Sequence, residues 1–358
     1  MISPLLPMIE DELHLSHALS GSLFGFLTGG YTISLILSGF LSRRFGLKRV
    51  ITVGFVITSA IFLLMPYATN YLSLALFMTI MGIGTGTYRP NLISFMTQTV
   101  PPQKWGITIA LNDSAICLSI ILFPILTTLA LRFFVWRTLF LMMGGVCLIC
   151  VTAFSVFSQD PRPPEEEIPI PFLDILRRRD FQLISIVWMS LSACSMGLYS
   201  IVPLFLVKEK GIPFELANTL LGISRVGSVF LMVLAGVLSD RFGVKRILFL
   251  TCLLTGISTM GLALANGFPL LIAMLILQAT ASDLFFPSVA LFVSRITRPN
   301  ERSLFAGLAM AFAMGLGHGL APVFLGVLAD LWNFQSGILF LGVMATLSCF
   351  SLKGIQEP

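Results

Sequence analysis

Along most of the chain, apolar residues run on without the alternation of a half-buried strand or the charged face of a soluble amphipathic helix. Runs of about 20 apolar residues recur from end to end, and about 20 helical residues cross a hydrocarbon core of about 30 Å. Eleven spans are predicted, over residues 18–41, 50–66, 71–97, 105–130, 138–157, 181–206, 216–238, 247–265, 269–294, 303–329 and 335–352. The short alternating segments of a transmembrane β-barrel are missing. The expected fold is therefore all-α, because a helix satisfies its own backbone hydrogen bonds inside lipid.

One polar break stands apart. Residues 158–180 collect five prolines and a dense run of charge, a composition that reads as a tether between two halves. It divides the chain into a first bundle, 1–157, and a second, 181–358. The later part of the break, PFLDILRRRD, suits a short amphipathic helix on the membrane surface.

Composition sharpens this. Of the 358 residues, 56% are hydrophobic and 11% charged, with a mean hydropathy of +0.94. A soluble domain carries about 25% charged residues, so a water-soluble fold is excluded. The net charge of +5 does not point to nucleic acid, because the basic residues sit in the short loops. Sixteen lysines and arginines fall in one alternate set of loops and the tail, against Arg132, Arg137, Lys208 and Lys210 in the other. The positive-inside rule makes the first set cytoplasmic, with the C-terminus inside and the written N-terminus outside. The opening lacks a basic n-region, so no cleavable signal peptide is expected, and MISPLLPMIEDEL reads as the tail of a helix followed by an outer loop. His14 and His17 fall in that loop as solvated residues. All six cysteines lie in apolar spans; the CxxC of Cys147 and Cys150 has no histidine or acid beside it, so no disulfide, metal site or cofactor is expected.

An internal repeat follows. GFLSRRFGLKRV at 39–50 and GVLSDRFGVKRI at 236–247 share eight of twelve positions at an offset of 197. The same offset pairs Gly25 with Gly222, Pro90 with Pro287 and Pro102 with Pro299; Pro124 pairs with Pro322 one residue further on. The halves are parallel duplicates, a pattern common in carriers.

In these residues the chain resembles the major facilitator superfamily, whose loop motif reads G-x-L-[SA]-D-R-[FYW]-G-[RK]-[RK]-[RK]. Gly236, Asp240, Arg241, Gly243 and Arg246 follow it, with Val244 as the one departure; Gly39, Arg44, Gly46 and Arg49 do so in the first half, where Arg43 replaces the aspartate. The resemblance implies two six-helix bundles with both termini in the cytoplasm, so the visible first bundle holds helices two to six. A start assigned too late would account for the missing helix. It also implies that the motif aspartate faces a helix N-terminus and steadies one closed state; Arg43 would repel that dipole, leaving Asp240 to do so. Gly39 and Gly236 are expected to permit close helix approach, and Gly46 and Gly243 a tight turn.

Charge inside lipid costs at least ~2.5 kcal/mol, so such residues are functional candidates. There are five: Arg89, Asp113, Arg225, Asp283 and His318. On the family pattern they lie on helices four, five, eight, ten and eleven, the cavity-facing set. Matched depth predicts an Arg89–Asp113 pair and a second cluster of Arg225, Asp283 and His318. Asp283 is the leading proton carrier, because burial favours the neutral acid while a nearby arginine favours the carboxylate; an imidazole ordinarily titrates near neutrality. Each residue also has a plain structural reading, as an ion pair or a packing contact. The expected function is secondary active transport of a small solute by alternating access, coupled to protons and leaning to an organic anion or zwitterion, by a monomer in the plasma membrane. Proton-antiport efflux of drugs or metabolites and a non-transporting sensor are the alternatives. No cluster suited to an enzyme appears.

Overall fold

The structure is a computed structural model and describes residues 2–159, 172–228, 231, 238, 239, 241–298 and 301–355. Its helices are α1 (Ile2–Leu13), α2 (His17–Phe45), α3 (Leu47–Leu64), α4 (Tyr71–Gly86), α5 (Tyr88–Thr99), α6 (Trp105–Ala130), α7 (Trp136–Phe157), α8 (Phe172–Arg177), α9 (Arg179–Ser192), α10 (Leu198–Leu204), α11 (Phe214–Ile223), α12 (Val244–Leu264), α13 (Phe268–Ile296), α14 (Arg302–Phe312), α15 (Gly319–Leu331) and α16 (Phe334–Ser348). Three π-helical segments, Ala193–Gly197, Phe205–Glu209 and Ala313–His318, interrupt or end longer helices. No strand occurs among the described residues. Nine of the described helical stretches are long and apolar enough to cross a membrane, and the chain is a multi-span helical membrane protein. Of the other two expected spans, 105–130 is α6, whose apolar stretch is Ser114–Ala130, and 216–238 starts as α11 and then leaves the described residues.

Serine and threonine are tolerated inside these helices because their hydroxyls donate back to carbonyls one turn earlier. Thr58 donates to Gly54 (2.9 Å) and Thr255 to Thr251 (2.7 Å). Polar caps mark helix starts at the membrane edge. Asn70 accepts from the Ser73 amide at 2.9 Å to open α4, and Asn333 from that of Ser336 at 2.7 Å to open α16.

Two compact units result, Leu23–Ile168 and Met1–Ser22 with Pro169–Pro358. In the first, α2 crosses α4 at backbone contact: a Cβ on Gly82 would lie 2.0 Å from the Leu27 carbonyl oxygen. Only glycine fits such a crossing. Phe140, Ile51 and Leu47 are buried there.

The second unit is cored by Phe205, Phe285, Phe292, Phe305 and Phe334, all fully buried. It also contains α1, which corrects two expectations. The stretch to Leu13 is helix rather than helix tail and loop. Leu5, Leu6 and Ile9 are fully buried and Glu10 is 4% exposed. The acids had suggested a solvated loop, but they sit on a helix that packs on α10 and α11 and turns Glu10 inward while Asp11 and Glu12 stay exposed. There the Ser3 hydroxyl donates to the Tyr199 carbonyl (2.9 Å) and the Asn218 amide to that of Pro4 (3.2 Å). His17, in turn, is not solvated. It opens α2, 3.0 Å from the Glu10 carboxylate and 4.8 Å from the Phe334 ring.

Candidate functional site

A buried polar arrangement lies within the second unit. Helix α11 ends at Ile223, and Ser224 and Arg225 form a tighter turn in which the Arg225 amide donates to Gly222 (3.2 Å). The Ser228 hydroxyl then donates to the Arg225 carbonyl at 2.7 Å. This turn delivers Arg225 into the interior, 3% exposed, facing Asp283 of α13 at 7%. Nη1 donates to Asp283 Oδ1, Nη2 lies 3.4 Å from the Ser195 carbonyl, and the guanidinium stacks on the Tyr199 ring at 4.7 Å. Nε has no acceptor among the described residues, and the buried Ser195 Oγ is also unpartnered.

The acceptor on Ser195 exists because Ala193–Gly197 is π-helical. One extra residue in a turn disturbs the ladder of carbonyls, and π-bulges gather at functional sites. The same segment offers the Cys194 carbonyl to Gln278 Nε2 at 2.7 Å. Thus α13 supplies two side chains, Gln278 and Asp283, that serve one widened turn, Asp283 through Arg225.

His318 closes the π segment Ala313–His318. Its Nε2 stands 3.5 Å from the Ser200 hydroxyl. Of the three residues expected to cluster, Arg225 and Asp283 are bonded directly. His318 reaches the same long helix through Ser200, next to the Tyr199 that carries Arg225. The glycine before it allows this: a Cβ on Gly317 would lie 2.4 Å from the Met189 carbonyl.

In the first unit, Arg89 lies on α5 just past the break at Thr87, with an exposed side chain. Asp113 lies on α6 with its side chain outside the described residues, so their pairing is not established by contact. Nearby, the Tyr88 hydroxyl donates to Asn112 Oδ1 at 3.1 Å.

Of the loop motif, Gly46 (φ 86°) and Gly243 (φ 93°) begin α3 and α12 in left-handed backbone. Gly39 differs from expectation: it is exposed, and among the described residues a Cβ there would meet nothing within 4 Å, because its helix turns that side away from them. Arg43 Nε donates to the Gly39 carbonyl (3.3 Å). Arg44 and Arg241 lie over the rings of Phe45 and Phe242, and Arg49 and Arg246 are exposed. Gly236 and Asp240 lie outside the described residues. A contact not foreseen repeats with the duplication. Lys48 Nζ donates to the Ser158 carbonyl (2.6 Å) and Lys245 Nζ to that of Ile355; both members of each pair are 197 positions from their counterparts.

At the other end of the second unit, carboxylates cap helices from neighbouring elements. Asp330 accepts the amides of His17 (2.9 Å) and Ala18 (2.8 Å) at the start of α2. Glu209 accepts those of Phe334 and Gln335 at the start of α16, and Lys208 pairs with Asp11. A Cβ on Gly21 would lie 2.1 Å from the Pro322 carbonyl, so the first turns of α2 press on α15. Asp330, Glu209 and Gln278 were missed from sequence: each is one polar residue at a span end or in an apolar run, with no periodicity to single it out.

Comparison with known proteins agrees with this fold. The family described as Major Facilitator Superfamily matches residues 1–231 and 184–357. The chain is 24% identical over 280 residues to the hexuronate transporter of Bacillus subtilis (strain 168), covering 72% of this chain and 66% of that one. It is 25% identical over 359 residues to multidrug resistance protein 2 of the same organism, covering 96% and 87%. Among the curated relatives the match spans as little as 30% of the other protein. The crystal structure of a D-xylose-proton symporter superposes with a TM-score of 0.82 at 16% identity, covering 99% of this chain and 93% of that chain. These relatives are transporters, not enzymes, and the chain belongs to the Major Facilitator Superfamily.

Proposed function

We propose that the chain is a secondary active transporter of the plasma membrane, with its C-terminus in the cytoplasm, that moves a small organic anion or zwitterion by alternating access. The observation that carries this reading is the buried Arg225, whose Nε has no acceptor among the described residues while its other nitrogens hold Asp283 and Ser195. An unsatisfied buried donor costs about 1–3 kcal/mol. A solute carboxylate offers such a donor the acceptor it lacks.

Proton coupling follows from the same pair. While Asp283 is ionised it competes for the guanidinium. A proton on Asp283 removes the competing charge and leaves Arg225 to an anionic solute, so proton and anion bind together. Arg89 and Asp113 would supply a second charged pair on the path, and His318 a polar contact through Ser200. The hexuronate relative transports an organic anion, in keeping with this. Efflux by proton antiport is the second reading; the nearly full-length match to a multidrug resistance protein favours it, and in it a cationic solute and a proton would compete for the Asp283 carboxylate, so that one leaves as the other binds.

Counterflow in proteoliposomes tests the proposal. Labelled glucuronate should accumulate transiently against unlabelled glucuronate inside, and Arg225→Gln should abolish this. Exchange of neutral sugars or lipophilic cations in its place, insensitive to Arg225→Gln, would overturn the anion reading. No exchange by any solute class would favour the sensor.

A further inference from the structure

The end of the second unit that carries the loop motif holds a cleft of about 370 Å³ whose lining includes Phe242, Lys245, Arg246, Phe249 and Lys353. Three of its lining residues are cations and, among the described residues, none is acidic. Arg241 stands over the ring of Phe242 at the rim. Gly243 begins α12 without a side-chain cap, so the first amides of that helix add partial positive charge. Like charges crowded in this way repel, unless an anion sits among them.

What lies beyond the cations identifies the anion. Leu250, Leu254 and Ile257 follow on the outer face of α12 at 49%, 39% and 50% exposure, and Leu347 and Phe350 on the neighbouring strip at 62% and 49%. Phe249 of α12 and Phe350, in the turn just past the end of α16, meet edge to face at 5.9 Å. Their spacing, i, i+4 and i+7, keeps the α12 residues on one face. A cationic cleft therefore opens onto an apolar track running along the span. A free phosphate would use the first and leave the second bare; a phospholipid uses both. We propose that this cleft binds an anionic phospholipid, phosphatidylglycerol in charge type, with its phosphate on Arg246, Lys353 and the free protons of Lys245 and one acyl chain along α12 and α16. Basic pockets between helix ends are a general means of holding such headgroups. The orientation proposed above decides only which leaflet supplies the lipid.

Native mass spectrometry of the full chain in detergent reads this directly. Dioleoyl phosphatidylglycerol, dioleoyl phosphatidylcholine and inorganic phosphate are the three probes. Phosphatidylglycerol should be retained and should raise the melting temperature, and phosphatidylcholine should do neither. Each cation removed near the surface is worth roughly fivefold in affinity, so Arg246→Gln and Lys353→Gln should each weaken retention by about that factor and their double variant by about 25-fold. Lys210→Gln, at the opposite end, should leave it unchanged. Equal retention of the two lipids, or indifference to both exposed substitutions, would overturn the proposal. Phosphate displacing the lipid at equal concentration would show a free-anion site and overturn it too. Because binding is read without transport, failure of the counterflow assay leaves this result standing.

Discussion

Replacing Asp283 with leucine isolates the energy of the buried ion pair. In the native protein the carboxylate faces a guanidinium that is 3% exposed, and the remaining contacts of Arg225 are the Ser195 carbonyl at 3.4 Å and the face of Tyr199 at 4.7 Å. Neither carries a full negative charge. Removing one partner of a buried pair costs about 3–5 kcal/mol, because the other charge is left uncompensated. Tyr199 lies against the guanidinium before and after the change, so it offsets none of this. The expected loss is thus about 3–5 kcal/mol. Arg225→Leu with Asp283→Leu should return most of it, because paired apolar replacement of a buried ion pair is often neutral. Equilibrium unfolding of the purified protein in mixed micelles, run as a double-mutant cycle, measures the coupling. If Asp283→Leu leaves stability within about 0.5 kcal/mol of the parent, or if the double variant is no better than the single, the pair is not electrostatically closed and the mechanism drawn from it falls.

Other consequences are as direct. Asp283→Asn should abolish proton-driven uptake yet spare exchange, and unchanged proton coupling would remove Asp283 from the mechanism. Asp330→Ala removes the carboxylate that caps α2 and should cost about 1 kcal/mol, read as a lower melting temperature; an unchanged melt would show that packing alone holds this end. Burial pushes the Glu301 carboxyl up, but the Arg178 hydrogen bond, the Arg298 amide and both cations outweigh it and hold it below the ordinary carboxylate value. Its folded pKa is depressed, so its contribution is complete above the unfolded value of about 4.3 and disappears as pH falls through the lower folded one. Glu301→Gln should flatten acid unfolding in that window, and an unaltered profile would exclude the Arg178–Glu301 contact as its source.

Much of this was legible in the residues because two periodicities were strong. Apolar length fixed the helical class, and the 197-residue repeat fixed the family. Arg225 and Asp283 were legible for a third reason: an ion in an apolar run is too costly to be incidental. Contacts made by ordinary residues were not. Nothing in Ser195 or Cys194 announces that the helix widens there and offers carbonyls to Arg225 and Gln278. Glu10 and His17 were misread because an acidic run looks solvated until a helix turns it inward against Phe334. Gly39 was misread because a motif states which residue stands at a position, not which way its helix faces.

The two loop lysines carry a further meaning. Lys48 closes on Ser158 and Lys245 on Ile355, each tying an early hairpin to the last turn of its own unit. The tail near Ile355 is accordingly a strut rather than a loose end. Deleting the chain from residue 354 onward would strip Lys245 of its acceptor and leave the first unit's equivalent brace untouched, so tags at this terminus belong on a spacer and not in place of these residues.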